Sequence, residues 1–186
     1  MLDLPGLAAF IADHHRHDLV RVESLGWYVS TSDGAELDRY LAGEREPDRA
    51  SKAAWLDRIR SDTAAGRAWR RLRIVEHPPT DYVRYSCEWG YTDNSAAGEQ
   101  VRMLDLTDAQ VGAGVLVDLG DFYLLDDVHV VAMRYDDSGA FTGAEPIKGP
   151  FSDVYRAAAR AGWAVAEPFG RWWPRHPEYH RSAVLP

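Results

Sequence analysis

The chain has 186 residues, 46% hydrophobic and 27% charged, the composition of an ordinary soluble globular protein and the length of a single domain. Its formal charge of −8 argues against direct, sequence-independent nucleic-acid binding, which needs Lys and Arg to displace counterions from phosphates. No run approaches the roughly 18 apolar residues of a membrane span, and the start MLDLPGLAAF lacks the basic segment of a signal peptide. The single cysteine, Cys87, rules out an internal disulfide, so a cytoplasmic protein without membrane association is expected. Lys52 and Lys148 are the only lysines, so Arg abundance alone does not signal phosphate recognition.

Leu4, Leu7, Phe10 and Ile11 share one helical face and predict a short amphipathic helix over 4–13. His14, His15 and His17 follow with Arg16 between them; no regular metal-ligand spacing is present, and a solvated loop is the reading. From Leu19 to Ser30 the alternation at Val20, Val22 and Ser24, continuing through Trp27 and Val29, predicts the first strand, with Gly26 as a bulge. Thr31, Ser32 and Asp33 suit the cap of a helix carrying Leu37, Tyr40 and Leu41, ended by Gly43. A second helix turns Trp55, Leu56 and Ile59 inward and Arg58 and Asp62 outward, and Gly66 closes it. The pair returns the chain to a strand at Trp69, which implies a crossover on one side of a sheet.

Residues 69–106 hold the densest set of ligand-competent side chains. Arg70, Leu72 and Ile74 alternate with Arg71, Arg73 and Val75, the period of a strand. Pro78 and Pro79 end it, and Thr80 and Asp81 open a helix in which Tyr82, Tyr85, Ser86 and Trp89 share an aromatic face. Gly90 and the Thr92–Ser95 cluster are expected to end that helix, and Gln100–Leu104 resumes an extended run. Cys87, inside the helix, reads as a small buried residue rather than a nucleophile.

Further on, Thr107 and Asp108 suit a cap for a short turn before Gly112. Three extended runs follow, DFYLLDD, VHVVAMRYDDSG and AFTGAEPIKG, with a hairpin at Asp136–Gly139. Ser152 is expected to cap a last helix that turns Val154, Ala157, Ala158, Ala161 and Val165 inward, and Pro168 stops it. Residues 1–168 therefore read as a single α/β domain, one mixed sheet of about six strands with helices packed on it. Residues 169–186 form a tail rich in Trp, Pro and His, in which Trp172 and Trp173 are expected to dock on the body because exposed paired Trp is costly.

Phosphate-loop, dinucleotide, nucleophile-elbow and HExxH motifs are all absent, and no cofactor or metal is assigned. His176 and His180 have helical spacing, but Pro177 interrupts it. The better candidates converge if the two central strands are neighbours: His77 at a strand end, Asp81, Arg84 and Tyr85 on the helix, and Glu99 and Arg102 at the return. Arg84 and Arg102 would clamp a carboxylate or phosphate, with Glu99 or His77 as acid or base if the site is catalytic. The alternative is an internal network in which Asp81 pairs with Arg84 and Glu99 with an Arg. Asp126, beside Asp127, offers oxygens to a ligand or cation, or sits solvated.

The segments VEHPPTDYVRY, EWGYTDNSAAGEQVRML and DFYLLDD, in this order, resemble an uncharacterised bacterial domain-of-unknown-function family whose members read close to SEPLSDYxRF, AAGEDIR and FWLFDD. Its signature falls on Pro78, Asp81, Tyr82, Arg84, Tyr85, Gly98, Glu99, Arg102, Asp121, Phe122, Asp126 and Asp127. The resemblance implies a phospholipase-D-like α/β half without that superfamily's catalytic HxK, and genes placed beside helix-turn-helix regulators. Two functions are expected in consequence: a non-catalytic regulatory module that binds a small polar or anionic ligand or a partner protein such as such a regulator, or a small metabolite-modifying enzyme.

Overall fold

A computed structural model of the chain describes residues 1–29, 34–106 and 113–181. Seven strands, β1 (Asp18–Glu23), β2 (Ala68–Val75), β3 (Gln100–Asp105), β4 (Phe122–Leu125), β5 (His129–Tyr135), β6 (Phe141–Ile147) and β7 (Glu167–Pro168), form one mixed sheet ordered β6-β5-β4-β1-β2-β3-β7. β1, β2 and β3 run parallel, and every other pairing is antiparallel. The α/β class and single sheet match the sequence reading. The seventh strand is a two-residue edge segment beside β3, too short to leave an alternation and at an edge where Pro168 is tolerated.

Because side chains alternate along each strand, the sheet has two distinct faces. One carries Val20 and Val22 of β1, Leu72 and Ile74 of β2, Leu104 of β3 and Phe122 and Leu124 of β4, packed against Leu116 of α6 (Ala113–Leu119) and Tyr155 and Ala159 of α7 (Pro150–Val165). On the other, Leu19, Trp69, Val131 and Met133 pack against Leu7 of α1 (Leu4–His14) and Leu56 and Ile59 of α3 (Arg49–Ala64). Val75, Val101 and Met103 extend that second face under Val83, Cys87 and Tyr91. Between these two apolar clusters the second face turns polar, and the functional candidates below lie there.

Several elements depart from expectation. β1 stops at Glu23 rather than Ser30, because the chain leaves the sheet at Ser24, whose N–H is captured by Asp121 Oδ1 at 2.7 Å. The helix after the two prolines starts with Thr80 as its cap, its hydroxyl accepting from Val83 N at 3.2 Å. It does not end at Gly90. α4 (Asp81–Tyr85) runs into a π-helical turn, Ser86–Tyr91, and on into α5 (Thr92–Ala97), ending at Gly98 with φ 115°. A Cβ on Gly98 would also meet Thr63 Oγ1 at 2.9 Å, so glycine is required there, while at Gly90 it merely adds no bulk to a wider turn.

In α3, Asp62 is buried rather than outward, taking the indole N–H of Trp69 at 2.9 Å, and Trp55 is 38% exposed. In α7 the inward face is Tyr155, Ala159 and Gly162, not Val154 and Val165, which are exposed. Gly149 is its cap and Ser152 lies inside the first turn; with so many alanines the apolar stripe has no clear phase. The caps expected at Thr31–Asp33 and at Thr107–Asp108 lie outside the described residues. Among the described residues no helix is long and apolar enough to cross a membrane.

Candidate functional site

On the second face β1 presents Arg21 and Glu23, and β2 presents Arg71 and Arg73. The register sets Arg21 beside Arg71 and Glu23 beside Arg73, on strands spaced about 4.8 Å apart. Two guanidiniums side by side repel unless an anion joins them. Glu23 does so: Oε1 lies 2.9 Å from Arg21 Nε and 2.5 Å from Arg71 Nη1, while Oε2 accepts from the Tyr91 hydroxyl at 2.8 Å. Arg73, fully buried, reaches the Leu25 carbonyl and lies 4.0 Å from Glu23. Burial alone would push the Glu23 carboxyl up, but Arg21, Arg71 and Arg73 together hold it well below the usual carboxylate range. Burial beside Glu23 raises the Tyr91 phenol well above its ordinary value, so it stays a donor.

Arg21, Glu23 and Arg71 of this belt floor a cavity of about 390 Å³, within the range typical of small-molecule sites. Lys52 and Trp55 of α3, Tyr82 and Tyr85 of α4, Ser86, Gly90 and Tyr91 of the π turn, Asn94 of α5 and Tyr123 of β4 complete the walls. Arg71 is fully committed, with Nε and Nη2 each 3.0 Å from Glu99 and Nη1 on Glu23. Arg21 is not: beyond its 2.9 Å approach to Glu23 it forms no hydrogen bond with any described residue. A quarter of its side chain is open, and it lines the cavity.

The structure disperses the rim read from the sequence. β2 and β3 are neighbours as required, but Glu99 and Arg102 alternate onto opposite faces. Glu99 is buried and accepts from Arg71 and, at 2.7 Å, from Asn94. Arg102 instead donates to the Trp163 carbonyl at 2.7 Å and lies over the Trp163 ring, which satisfies the C-terminus of α7. Arg84 donates to the Tyr179 carbonyl at 2.9 Å and lies 3.4 Å from Asp81, itself exposed. Tyr85 reaches the cavity wall. Asp126, at φ 51°, takes the backbone N–H groups of Arg16, His17 and Asp18 at 2.8–3.1 Å. Burial opposes its ionisation, but those donors prevail and hold its carboxyl below the ordinary value. It organises the turn before β1.

His77 lies between Asp105 and Tyr179. Nε2 is 2.6 Å from Asp105 Oδ2, and Nδ1 is 2.7 Å from the Tyr179 hydroxyl. Burial, then Glu178 and Asp105, raise the Tyr179 phenol, so it donates to the imidazole. His14 and His15 diverge, to the Phe10 and Ala68 carbonyls, and no cluster of three or more metal-binding groups occurs among the described residues. Cys87 is buried, its thiol pushed well up by desolvation, which makes it inert.

The C-terminal segment docks, as the paired tryptophans suggested. Trp172, on α8 (Phe169–Trp172), is 2% exposed and packs with Phe169 and Met103. Beyond it, Arg181 lies over the rings of Tyr40 and Trp89, 4.0 and 5.1 Å from their centroids, and donates to the Tyr40 carbonyl at 2.8 Å. Its backbone N–H reaches Glu88, which also accepts from the Tyr40 hydroxyl. The π turn thus offers Ser86, Gly90 and Tyr91 to the cavity and Glu88 and Trp89 to the C-terminal clasp.

A family model described as Domain of unknown function (DUF6879) matches residues 7–174. The chain belongs to this family. No curated protein matches it. The DUF6879 match spans every residue that lines the cavity.

Of those residues, Tyr85 alone was among the candidates read from the sequence. Arg21, Glu23, Lys52, Arg71 and Tyr91 were missed, yet a signal exists. β1 and β2 carry Leu19 and Trp69 on the same face as the charges, so both strands are buried on both sides. A stripe of Arg and Glu on a doubly covered strand marks an ionic core.

Proposed function

We propose that this DUF6879 protein is a non-catalytic sensor module that binds a small anion in the cavity above Arg21 and passes its occupancy to a partner through the C-terminal clasp. The reading rests on one observation, the π turn with one face on the cavity and the other under Arg181. Irregular turns of this kind occur frequently at functional sites, and a ligand touching one side biases the packing on the other only if it favours one of two arrangements. Arg21 supplies a planar donor fork suited to a carboxylate or phosphate. A helix-turn-helix regulator, the partner class that the family resemblance implies, is the proposed recipient of the signal, and the cytoplasm its setting.

Hydrogen exchange of the full chain tests this, with sodium benzoate and sodium phosphate titrated in turn at constant ionic strength. The expected result is that one of these anions slows exchange in 86–91 and alters it in 172–181, and that Arg21→Gln removes both responses. A response confined to the cavity would refute the coupling, and no response to either salt would refute anion binding.

A further inference from the structure

Once the cavity walls are matched with their partners inside the protein, the groups left over define a ligand class, and this step rests on the anion-binding reading above. The rings are already engaged. Tyr82 and Tyr85 pack in one cluster with Tyr28, Tyr40 and Trp89, and the Tyr85 ring also receives the Lys52 ammonium at 5.5 Å. Tyr91 and Tyr123 lie under Arg71 and Arg21, and Trp55 stands edge-on to Trp69. Each ring therefore has a partner within the protein, and nothing marks the site as a stacking platform. Most polar groups of the wall are committed in the same way. Glu23 is shared by Arg21, Arg71 and Tyr91. Asn94 donates to Glu99 and accepts from the Trp55 indole at 3.3 Å, while Ser51 donates to the Asp48 carbonyl. Four side chains keep unused capacity: the outer guanidinium nitrogens of Arg21, the Lys52 ammonium, and the hydroxyls of Ser86 and Tyr123, none of which hydrogen-bonds to a described residue. Two cationic donors and two hydroxyls match a ligand that carries an anionic group and hydroxyls of its own.

Charge sets the valence of that ligand. Three guanidiniums, Arg21, Arg71 and Arg73, face three buried carboxylates, Glu23, Glu99 and Asp121, so the belt is neutral by itself. Lys52 adds one positive charge and has no carboxylate partner among the described residues. A monoanion completes the balance. A phosphate monoester, carrying about −1.5 to −2 charges at neutral pH, would set surplus negative charge against Glu23. An amino acid fails differently: its ammonium would lie beside Arg21 and Lys52, with Glu23, the one carboxylate among the lining residues, already engaged. At about 390 Å³ the space lies near the lower end of small-molecule sites, enough for a chain of about six carbons.

We propose that the cavity selects small hydroxylated monocarboxylates, the carboxylate engaging the outer nitrogens of Arg21 with Lys52 nearby and the hydroxyls pairing with Ser86 and Tyr123. Calorimetric titration of the full chain with D-gluconate, hexanoate, D-glucosaminate, D-glucitol and glucose 6-phosphate tests it, since all share a six-carbon body and differ in hydroxyls or charge. The expected result is saturable binding of gluconate, at least tenfold weaker binding of each of the others, and a tenfold or greater loss of gluconate affinity in Arg21→Gln. Lys52→Gln, at a half-buried wall position, should weaken gluconate severalfold and serves if the Arg21 variant does not fold. Ser86→Ala should also weaken gluconate severalfold but leave hexanoate, which has no hydroxyl to pair, unchanged. Hexanoate, glucosaminate or glucose 6-phosphate binding as tightly as gluconate would overturn the ligand class and leave the anion reading standing. Gluconate binding that survives both Arg21→Gln and Lys52→Gln would place the ligand elsewhere and overturn the proposal. Glucitol binding as tightly as gluconate, or no binding by gluconate, hexanoate or glucose 6-phosphate, would remove both.

Discussion

The two faces of the sheet are built from the same strands, yet they hold together by different physics. Under α6 and α7, Val22, Leu72, Phe122 and Leu116 are each fully buried and apolar, so that face gains stability in proportion to the area it removes from water. Across the sheet, a largely buried belt of Arg and Glu returns much of its Coulomb attraction as desolvation. A buried ionic belt adds little net stability, but it fixes donor groups in place. The contrast teaches where to look: the apolar face carries the fold, and the ionic face holds a preformed charge pattern beside a cavity.

The sharpest break in that contrast is Glu23→Gln. It leaves Arg21, Arg71 and Arg73 facing one another without their shared anion, and stranding buried charges of this kind costs about 3–5 kcal/mol. The midpoint of urea denaturation should fall accordingly. Acid titration gives a second check. Because the folded Glu23 carboxyl lies below its unfolded value of about 4.3, its contribution is present above that pH and lost as pH falls toward the folded value. Wild-type stability should therefore drop below about pH 4.3 more steeply than that of Glu23→Gln; parallel curves would mean that Glu23 is not held ionised.

On the apolar face, Leu72→Ala removes a fully buried side chain between β2 and α7 and should cost about 2–5 kcal/mol. Unlike the Glu23 variant it should leave the acid profile unchanged in shape. Gly162→Ala probes the same interface from the helix. An added Cβ would lie 2.6 Å from Leu116 and 2.9 Å from Leu72, and overpacking of this kind costs about 1–3 kcal/mol. A stabilised Gly162→Ala variant would show slack in this interface.

What the sequence disclosed follows the same division. Alternation in Val20–Val22, Arg70–Val75 and Val130–Met133 marked the strands, since a pleat with one apolar face leaves a period of two. The crossover from β1 back to β2 was legible, and the site was read on the condition that β2 and β3 are neighbours, which they are, but which side chains meet across them was not legible. A one-residue phase puts Glu99 with Arg71 and sends Arg102 to α7. Gly90 was misread for a physical reason: a glycine within a helix and one that ends it look alike until tertiary contacts, here Thr63 against Gly98, choose between them. The cavity was out of reach because its walls come from 21–23, 51–55, 71, 82–94 and 123, segments far apart in the chain that only the tertiary fold brings together.

The smallest expected effect separates fold from signal. Arg181 stacks on Tyr40 and Trp89 and contacts Glu88, yet it is partly exposed, so Arg181→Ala should cost only about 0.5–1 kcal/mol, far less than either face. Its consequence for the cavity should be larger than that number suggests. Glu88 and Trp89 occupy the π turn that also supplies Ser86, Gly90 and Tyr91 to the wall, so freeing the outer side lets the inner side adopt other arrangements. By linkage, whatever the clasp contributes to the binding-competent arrangement is lost from anion affinity when the clasp is cut. Gluconate affinity measured by calorimetry should fall severalfold in Arg181→Ala while the urea midpoint scarcely moves. An unchanged affinity would show that the clasp and the cavity, though they share a helix, are energetically separate.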